Sequence, residues 1–242
     1  MRKALQTRGA NLIRRFIDLV IRPIFRKPRI FDPDRSEIPQ RILRKIQGAS
    51  FKYSFEGVPC IKNPFDLALY TLLLSNLRPK TIIEIGSASG GSALWFSSQS
   101  RALALDAVVY SFDIKPPEGL DSKNLKFNYG DIHQLHNSNL PEILESCPRP
   151  LLVVEDGPHT YTGCSAALNF FHEYLNPGDY IVIEDGIVHE LGYSSYQNGP
   201  NRAVHDFLED KGSNYIVDRD YCDFYGYNVT WNTNGYIKKI LA

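Results

Sequence analysis

No C-x-x-C pair occurs among Cys60, Cys147, Cys164 and Cys222, so the 242-residue chain carries neither a zinc-ribbon nor a thioredoxin-like signature. Four cysteines this far apart read as reduced thiols and predict a cytoplasmic protein. Long apolar runs are missing as well. Residues 10–25 are the most apolar N-terminal stretch, but Arg14, Arg15, Asp18 and Arg22 interrupt it and Pro23 disturbs it. A transmembrane helix needs about 20 predominantly apolar residues, and a signal peptide needs an unbroken apolar core. The dinucleotide fingerprint G-x-G-x-x-G is absent too. Net charge is zero, from 27 basic and 27 acidic side chains, yet residues 1–50 hold 13 of the bases and only 4 of the acids. The acidic remainder lacks the clustered cations that phosphate contacts require, so general nucleic-acid binding is not expected.

With 22% charged and 43% apolar residues the chain has ordinary globular usage, and its length can bury a sizeable core. Within the basic head, Leu12, Ile13, Phe16, Ile17, Val20, Ile21 and Ile24 recur at helical spacing, with Arg8, Arg15, Arg22 and Arg26 available for a polar face. This predicts a basic amphipathic extension over residues 1–50 ahead of a main domain over residues 51–242. Two roles stay open for residues 1–30: packing on the domain or on a second copy as a homo-oligomer contact, or lying peripherally on an anionic membrane surface.

A short helix is expected over residues 38–46. From residue 63 helix and strand patterns alternate. Residues 65–77, 91–99 and 165–175 read as helices, and residues 81–86, 107–114, 125–132, 151–156 and 180–185 as short apolar strands. That order predicts a parallel, doubly wound α/β sheet of Rossmann-like form, with ligands gathering beyond the carboxyl ends of the strands. After a helix at residues 203–209, residues 215–218, 224–230 and 235–240 look like strands, which predicts a C-terminal antiparallel hairpin closing the sheet.

The turn EIGSASGGS, residues 84–92, joins a strand to a helix and offers Gly86, Ser87 and Gly90 where a ligand can approach the backbone. Glu84 precedes it at the strand end. A pyrophosphate disfavours that carboxylate, whereas the cationic S-adenosylmethionine tolerates it. Asp113 closes the next strand, placed for ribose hydroxyls, and Asp131 the one after, placed for an adenine amino group. Helix capping and a purely structural glycine turn are the competing explanations. Two further strands end in Glu155-Asp156 and Glu184-Asp185. Convergence of Asp156, Glu184 and Asp185 calls for a hard divalent cation, Mg²⁺, Ca²⁺ or Mn²⁺ rather than zinc, with Mg²⁺ or Mn²⁺ the expected one, although capping again competes. His159, three residues after Asp156 and next to Pro158, is the candidate general base.

The strings KNPFDLALY (62–70), KTIIEIGSASGGSALWF (80–96), VVEDGPHTY (153–161) and GDYIVIEDG (178–186) resemble class I S-adenosylmethionine-dependent methyltransferases. Within that class they resemble the cephalosporin hydroxylase-like family and its macrolide-sugar O-methyltransferase relatives. The resemblance implies a seven-stranded sheet and methyl transfer to an oxygen, on a sugar or natural-product hydroxyl as the small-molecule or glycan acceptor. It also implies magnesium held by Asp156, Glu184 and Asp185, and a base at His159. Residues 186–203 are polar and aromatic and are expected to form a lid, where Tyr193 and Tyr196 suit a sugar ring; a solvated connection or a subunit contact is the alternative. Two rivals are a nicotinamide-dependent oxidoreductase and a non-catalytic membrane-surface or assembly module that retains the pocket.

Overall fold

Thr81–Ile85, Leu151–Glu155 and Tyr180–Ile183 are apolar at nearly every position because each is covered on both faces, the condition that parallel strands between two helical layers impose. The computed structural model describes residues 33–120 and 122–241. The predicted amphipathic segment at residues 10–25 therefore lies outside the described residues, and from Asp34 onward the chain forms one compact unit.

In chain order that unit contains helix α1 (Gln40–Ser50), a small hairpin of β1 (Ser54–Phe55) and β2 (Val58–Pro59), α2 (Pro64–Leu77), β3 (Thr81–Ile85), α3 (Gly91–Ala102), β4 (Val108–Asp113) and β5 (Leu125–Tyr129). There follow α4 (Leu140–Ser146), β6 (Leu151–Glu155), α5 (Tyr161–His172), β7 (Tyr180–Ile183), α6 (Val188–Leu191), α7 (Gly199–Lys211), β8 (Tyr215–Val217), α8 (Arg219–Cys222) and β9 (Tyr236–Lys239). Seven strands form one sheet in the order β5-β4-β3-β6-β7-β9-β8. The first five are parallel, while β9 runs antiparallel to both β7 and β8. The predicted doubly wound sheet with an antiparallel C-terminal end is thus the observed one.

Alternate residues of each strand enter different cores. Ile83, Ile85, Leu151 and Val153 join Phe170 and Phe171 of α5 and Phe207 of α7. Ile82, Leu152, Val154 and Val182 join Leu69, Leu73 and Leu74 of α2 and Ala93 and Phe96 of α3 on the other side. Each such fully buried large side chain contributes on the order of 1.5–3 kcal/mol relative to exposure. Leu43 of α1 packs with Ile187, Leu191 and Trp231, so α1 roofs the segment after β7.

The chain departs from expectation at residues 224–230, where no strand forms. Asn228 adopts a positive φ there, and the polar groups of the segment bond to the body of the domain instead of to a neighbouring strand. Thr230 Oγ1 donates to buried Asp66, Trp231 N reaches Asp66 Oδ2 at 3.2 Å, and Trp231 Nε1 reaches Gln47 Oε1 at 2.5 Å. The lid region is also more ordered than expected: α6 and a single 3-10 turn at Ser194–Tyr196 precede α7, which already begins at Gly199. Among the described residues no helix is long and apolar enough to cross a membrane.

Candidate active site

The crossovers from β3 lead to one side of the sheet and those from β6 to the other, so the strand order reverses between these two neighbours. A crevice opens beyond their carboxyl ends, where open α/β sheets bind ligands. Backbone bonds continue past the strands and tie three loops together. Gly86 N donates to Phe112 O at 2.7 Å, Asp156 N to Ile85 O at 2.8 Å and Glu184 N to Glu155 O at 2.9 Å. Gly86 has φ +102°, and a Cβ added there would stand 2.1 Å from Asp156 O, so only glycine lets the two loops approach. Over them lies a cavity of about 770 Å³, within the range of about 300–1,000 Å³ usual for small-molecule sites.

Of the residues expected around a methyl donor, Gly86, Ser87, Asp113 and Asp131 line this cavity; Glu84 and Gly90 do not. Asp113 braces the glycine turn, its Oδ2 accepting from Ala88 N at 3.0 Å and its Oδ1 from Lys115 N at 2.8 Å. Asp131 Oδ1 accepts from His133 N at 2.9 Å. Gly90 instead starts α3, at φ +85°, where a Cβ would press on Leu120 and Phe127. Glu84 is fully buried beneath the turn. Ser111 Oγ donates to its Oε2 and lies 2.6 Å from Ser87 Oγ, while Glu84 Oε1 has no hydrogen-bond partner among the described residues. Burial pushes the Glu84 carboxyl up to about 7 against the opposing pull of Lys62.

The acids expected to hold a metal divide into two groups. Asp156 and Asp185 face the cavity together with His159, and one donor atom from each lies within 4.8 Å of the others. His159 Nε2 is 3.2 Å from Asp185 Oδ2. Glu184 does not line the cavity and is 3% exposed. Its Oε1 accepts from Tyr70 Oη at 2.6 Å and its Oε2 from Lys62 Nζ at 2.6 Å. The same Lys62 ammonium donates to Asp156 Oδ2 at 2.5 Å. Reading the sequence for function missed Lys62: its partners stand 94 and 122 positions away, and the only signal is that it opens the string KNPFDLALY.

Charge in this cluster is costly. Burial raises the carboxyls of Asp156, Glu184 and Asp185 above the ordinary range; Lys62 counters this at all three, and His159 at Asp156 and Asp185. Burial lowers His159, but Asp185, Asp156 and Glu155 outweigh it and leave the imidazole above its ordinary value. Glu155, at the end of β6, is buried too; its Oε1 accepts from Gly157 N at 3.0 Å. Its Oε2 and the Nδ1 of His159 are both buried without a hydrogen-bond partner among the described residues. The His159 ring meets Tyr196 edge-on at 5.7 Å, and Tyr196 and Tyr193 both line the cavity. Oxygen-rich ligation of this kind suits Mg²⁺ or Mn²⁺, and a neutral imidazole nitrogen beside it is a proton acceptor.

Residues 47–240 match the family model described as rhamnosyl O-methyltransferase/CmcI. A rhamnosyl O-methyltransferase of Mycobacterium leprae is 27% identical over 191 residues, covering 75% of this chain and 80% of that protein. Its counterpart in Mycobacterium tuberculosis strain H37Rv is 25% identical over 196 residues, covering 77% and 78%. A solved structure of CmcI with Mg and SAM superposes with a TM-score of 0.63 at 24% identity, covering 78% of this chain and 77% of that one. The nicotinamide-dependent and non-catalytic alternatives have no support among these relatives. The chain belongs to the rhamnosyl O-methyltransferase/CmcI family, and is with it a class I S-adenosylmethionine-dependent O-methyltransferase.

Proposed function

We propose that the protein methylates a hydroxyl of a sugar, free or within a glycosylated small molecule, with Asp156 and Asp185 holding a divalent cation and His159 accepting the proton. The observation that carries this reading is the meeting of Asp156, Asp185 and His159 Nε2 beside the Gly86 turn in a single cavity. Their donor set fits Mg²⁺, since both carboxylates face the cavity. S-adenosylmethionine would supply an electrophilic methyl group and the cation a Lewis acid for the acceptor hydroxyl.

The protein's own part is placement and proton handling. Gly86 and Ser87 allow the donor to lie against the backbone, while Asp113 and Asp131 present carboxylates along its path. His159 Nε2 takes the hydroxyl proton and shares it with Asp185, 3.2 Å away. Tyr193 and Tyr196 form an aromatic wall at the acceptor end, a surface suited to the apolar face of a pyranose. The names of the mycobacterial relatives favour a deoxysugar such as rhamnose. The basic head supplies a contact with an anionic membrane surface through residues 1–30.

Calorimetry with S-adenosylhomocysteine, with and without Mg²⁺, tests the assignment. Asp156→Ala is expected to keep nucleotide binding and to lose Mg²⁺ binding and methyl transfer to a rhamnoside. Mg²⁺ binding equal to wild type in this variant means that the ligand set is wrong.

A further inference from the structure

Lys62 is the unexplained charge of the site. It sits on the short segment between β2 and α2, with its side chain 4% exposed, and its ammonium is held between Asp156 at 2.5 Å and Glu184 at 2.6 Å. The neighbouring Asn63 caps α2, accepting from Phe65 N and Asp66 N at 3.0 Å each, and Lys62 N bonds to Cys60 O at 2.8 Å. The stem of the side chain is therefore anchored at its base, and the ammonium arrives at the acids without depending on a mobile loop. With Tyr70 on its other oxygen, Glu184 has both oxygens engaged. Asp156 has only Oδ2 engaged by Lys62, and it still faces the cavity.

We propose that Lys62 is a resident counter-cation of the metal centre: it keeps the acid cluster assembled without a metal and, staying beside the ion, lowers the affinity for it. This rests on the reading of Asp156 and Asp185 as metal-holding residues. Burying several carboxylates without a cation is strongly unfavourable, and a fixed ammonium reduces that penalty in the empty enzyme. The same ammonium repels a divalent ion in a medium of low dielectric constant. Lys62 is thus a positioning residue whose two effects oppose each other. The metal-free enzyme gains stability, and the bound ion is held loosely enough to exchange.

Substitution separates the two effects. Lys62→Met keeps the length and removes the charge; Lys62→Arg keeps the charge. Calorimetric titration with Mg²⁺ and thermal unfolding with and without Mg²⁺ are run on the full chain. Lys62→Met is expected to unfold at a lower temperature without metal, to gain more from Mg²⁺ than wild type, and to bind Mg²⁺ about tenfold or more tighter. Lys62→Arg is expected to keep Mg²⁺ affinity near that of wild type. Lys62→Gln replaces Lys62→Met if the latter does not fold, with the same expectation. Unchanged or weaker Mg²⁺ binding in the neutral variants overturns the proposal. Asp156→Ala in the same series reports on the metal site itself: if it binds Mg²⁺ like wild type, the underlying assignment fails whatever Lys62 does.

Discussion

Glu84 illustrates how a single buried side chain couples the site to pH. It is fully buried, lacks a partner on Oε1, and has a folded pKa of about 7 against an ordinary 4.5, because burial outweighs the attraction of Lys62. An acid with a raised folded pKa holds its proton more tightly when folded than when unfolded. Folding is therefore favoured at low pH, and the cost of ionising Glu84 grows between about 4.5 and about 7 before levelling off. Glu84→Gln has no such cost. Its stability relative to wild type is expected to rise by about 2.5 kcal/mol from pH 5 to pH 8, measured by urea unfolding of the metal-free protein. A difference that stays flat across this range rules out the buried, proton-holding carboxyl. At this scale the sequence was informative only where position follows from strand ends. Asp156, Asp185 and His159 were readable because each stands just past a strand of a parallel sheet, whose carboxyl ends share one rim. The engagement of Glu184 by Tyr70 and Lys62 was not, since both acids lie past the end of β7, Asp185 turns away at φ +57°, and the groups that receive Glu184 come from α2 and the segment before it.

Helix α2 shows what an element contributes beyond its residues. Asn63 caps its first turn through Oδ1, and its Nδ2 donates to Asp66, which is also the acceptor for Thr230 and Trp231. One cap thus fixes the helix that carries Tyr70 to Glu184 and holds the irregular segment before β9. Asn63→Ala is expected to cost about 2 kcal/mol in urea unfolding, combining a lost cap with a buried acceptor deprived of one donor. Asn63→Asp restores the capping oxygen but sets a second carboxylate against Asp66, so it is expected to be no better than Ala. Recovery of wild-type stability by Asp would show that capping alone matters. The strands of the parallel sheet were legible because burial on both faces leaves short apolar runs such as LLVV and YIVI. Residues 224–230 misled for a physical reason: their alternating aromatic and polar pattern resembles a half-buried strand. In the structure Thr230 and Asn232 are buried polar residues of a non-strand segment, bonded to the helix layer through Asp66 and Tyr70. Periodicity registers which side chains are polar, not whether their partners belong to a strand or to a helix.

For the whole molecule the uneven charge sets the remaining test. Residues 1–30 contain nine Lys or Arg and one Asp, while the full chain is neutral, so everything after residue 30 carries a formal charge of −8. An acidic body is repelled by anionic lipid, while a basic head would offset that repulsion, each basic residue near such a surface being worth about 1 kcal/mol. Among the described residues, the cavity is lined from Gln47 to Tyr196. Truncation tests whether binding and chemistry separate. The full chain is expected to sediment with vesicles containing about 30% anionic lipid at low salt, and to be released as salt shortens the screening length below about 5 Å. A chain lacking residues 1–30 is expected to stay in the supernatant while methylating a small, water-soluble rhamnoside at a rate within about twofold of the full chain, since Asp156, Asp185, His159 and the Gly86 turn are all retained. Two results would contradict the membrane assignment. Vesicle binding that survives truncation would place the contact on the acidic body. A truncated chain that never bound vesicles in its full form, but halves its mass in analytical ultracentrifugation beyond the loss of the segment itself, would make the head an interface between copies.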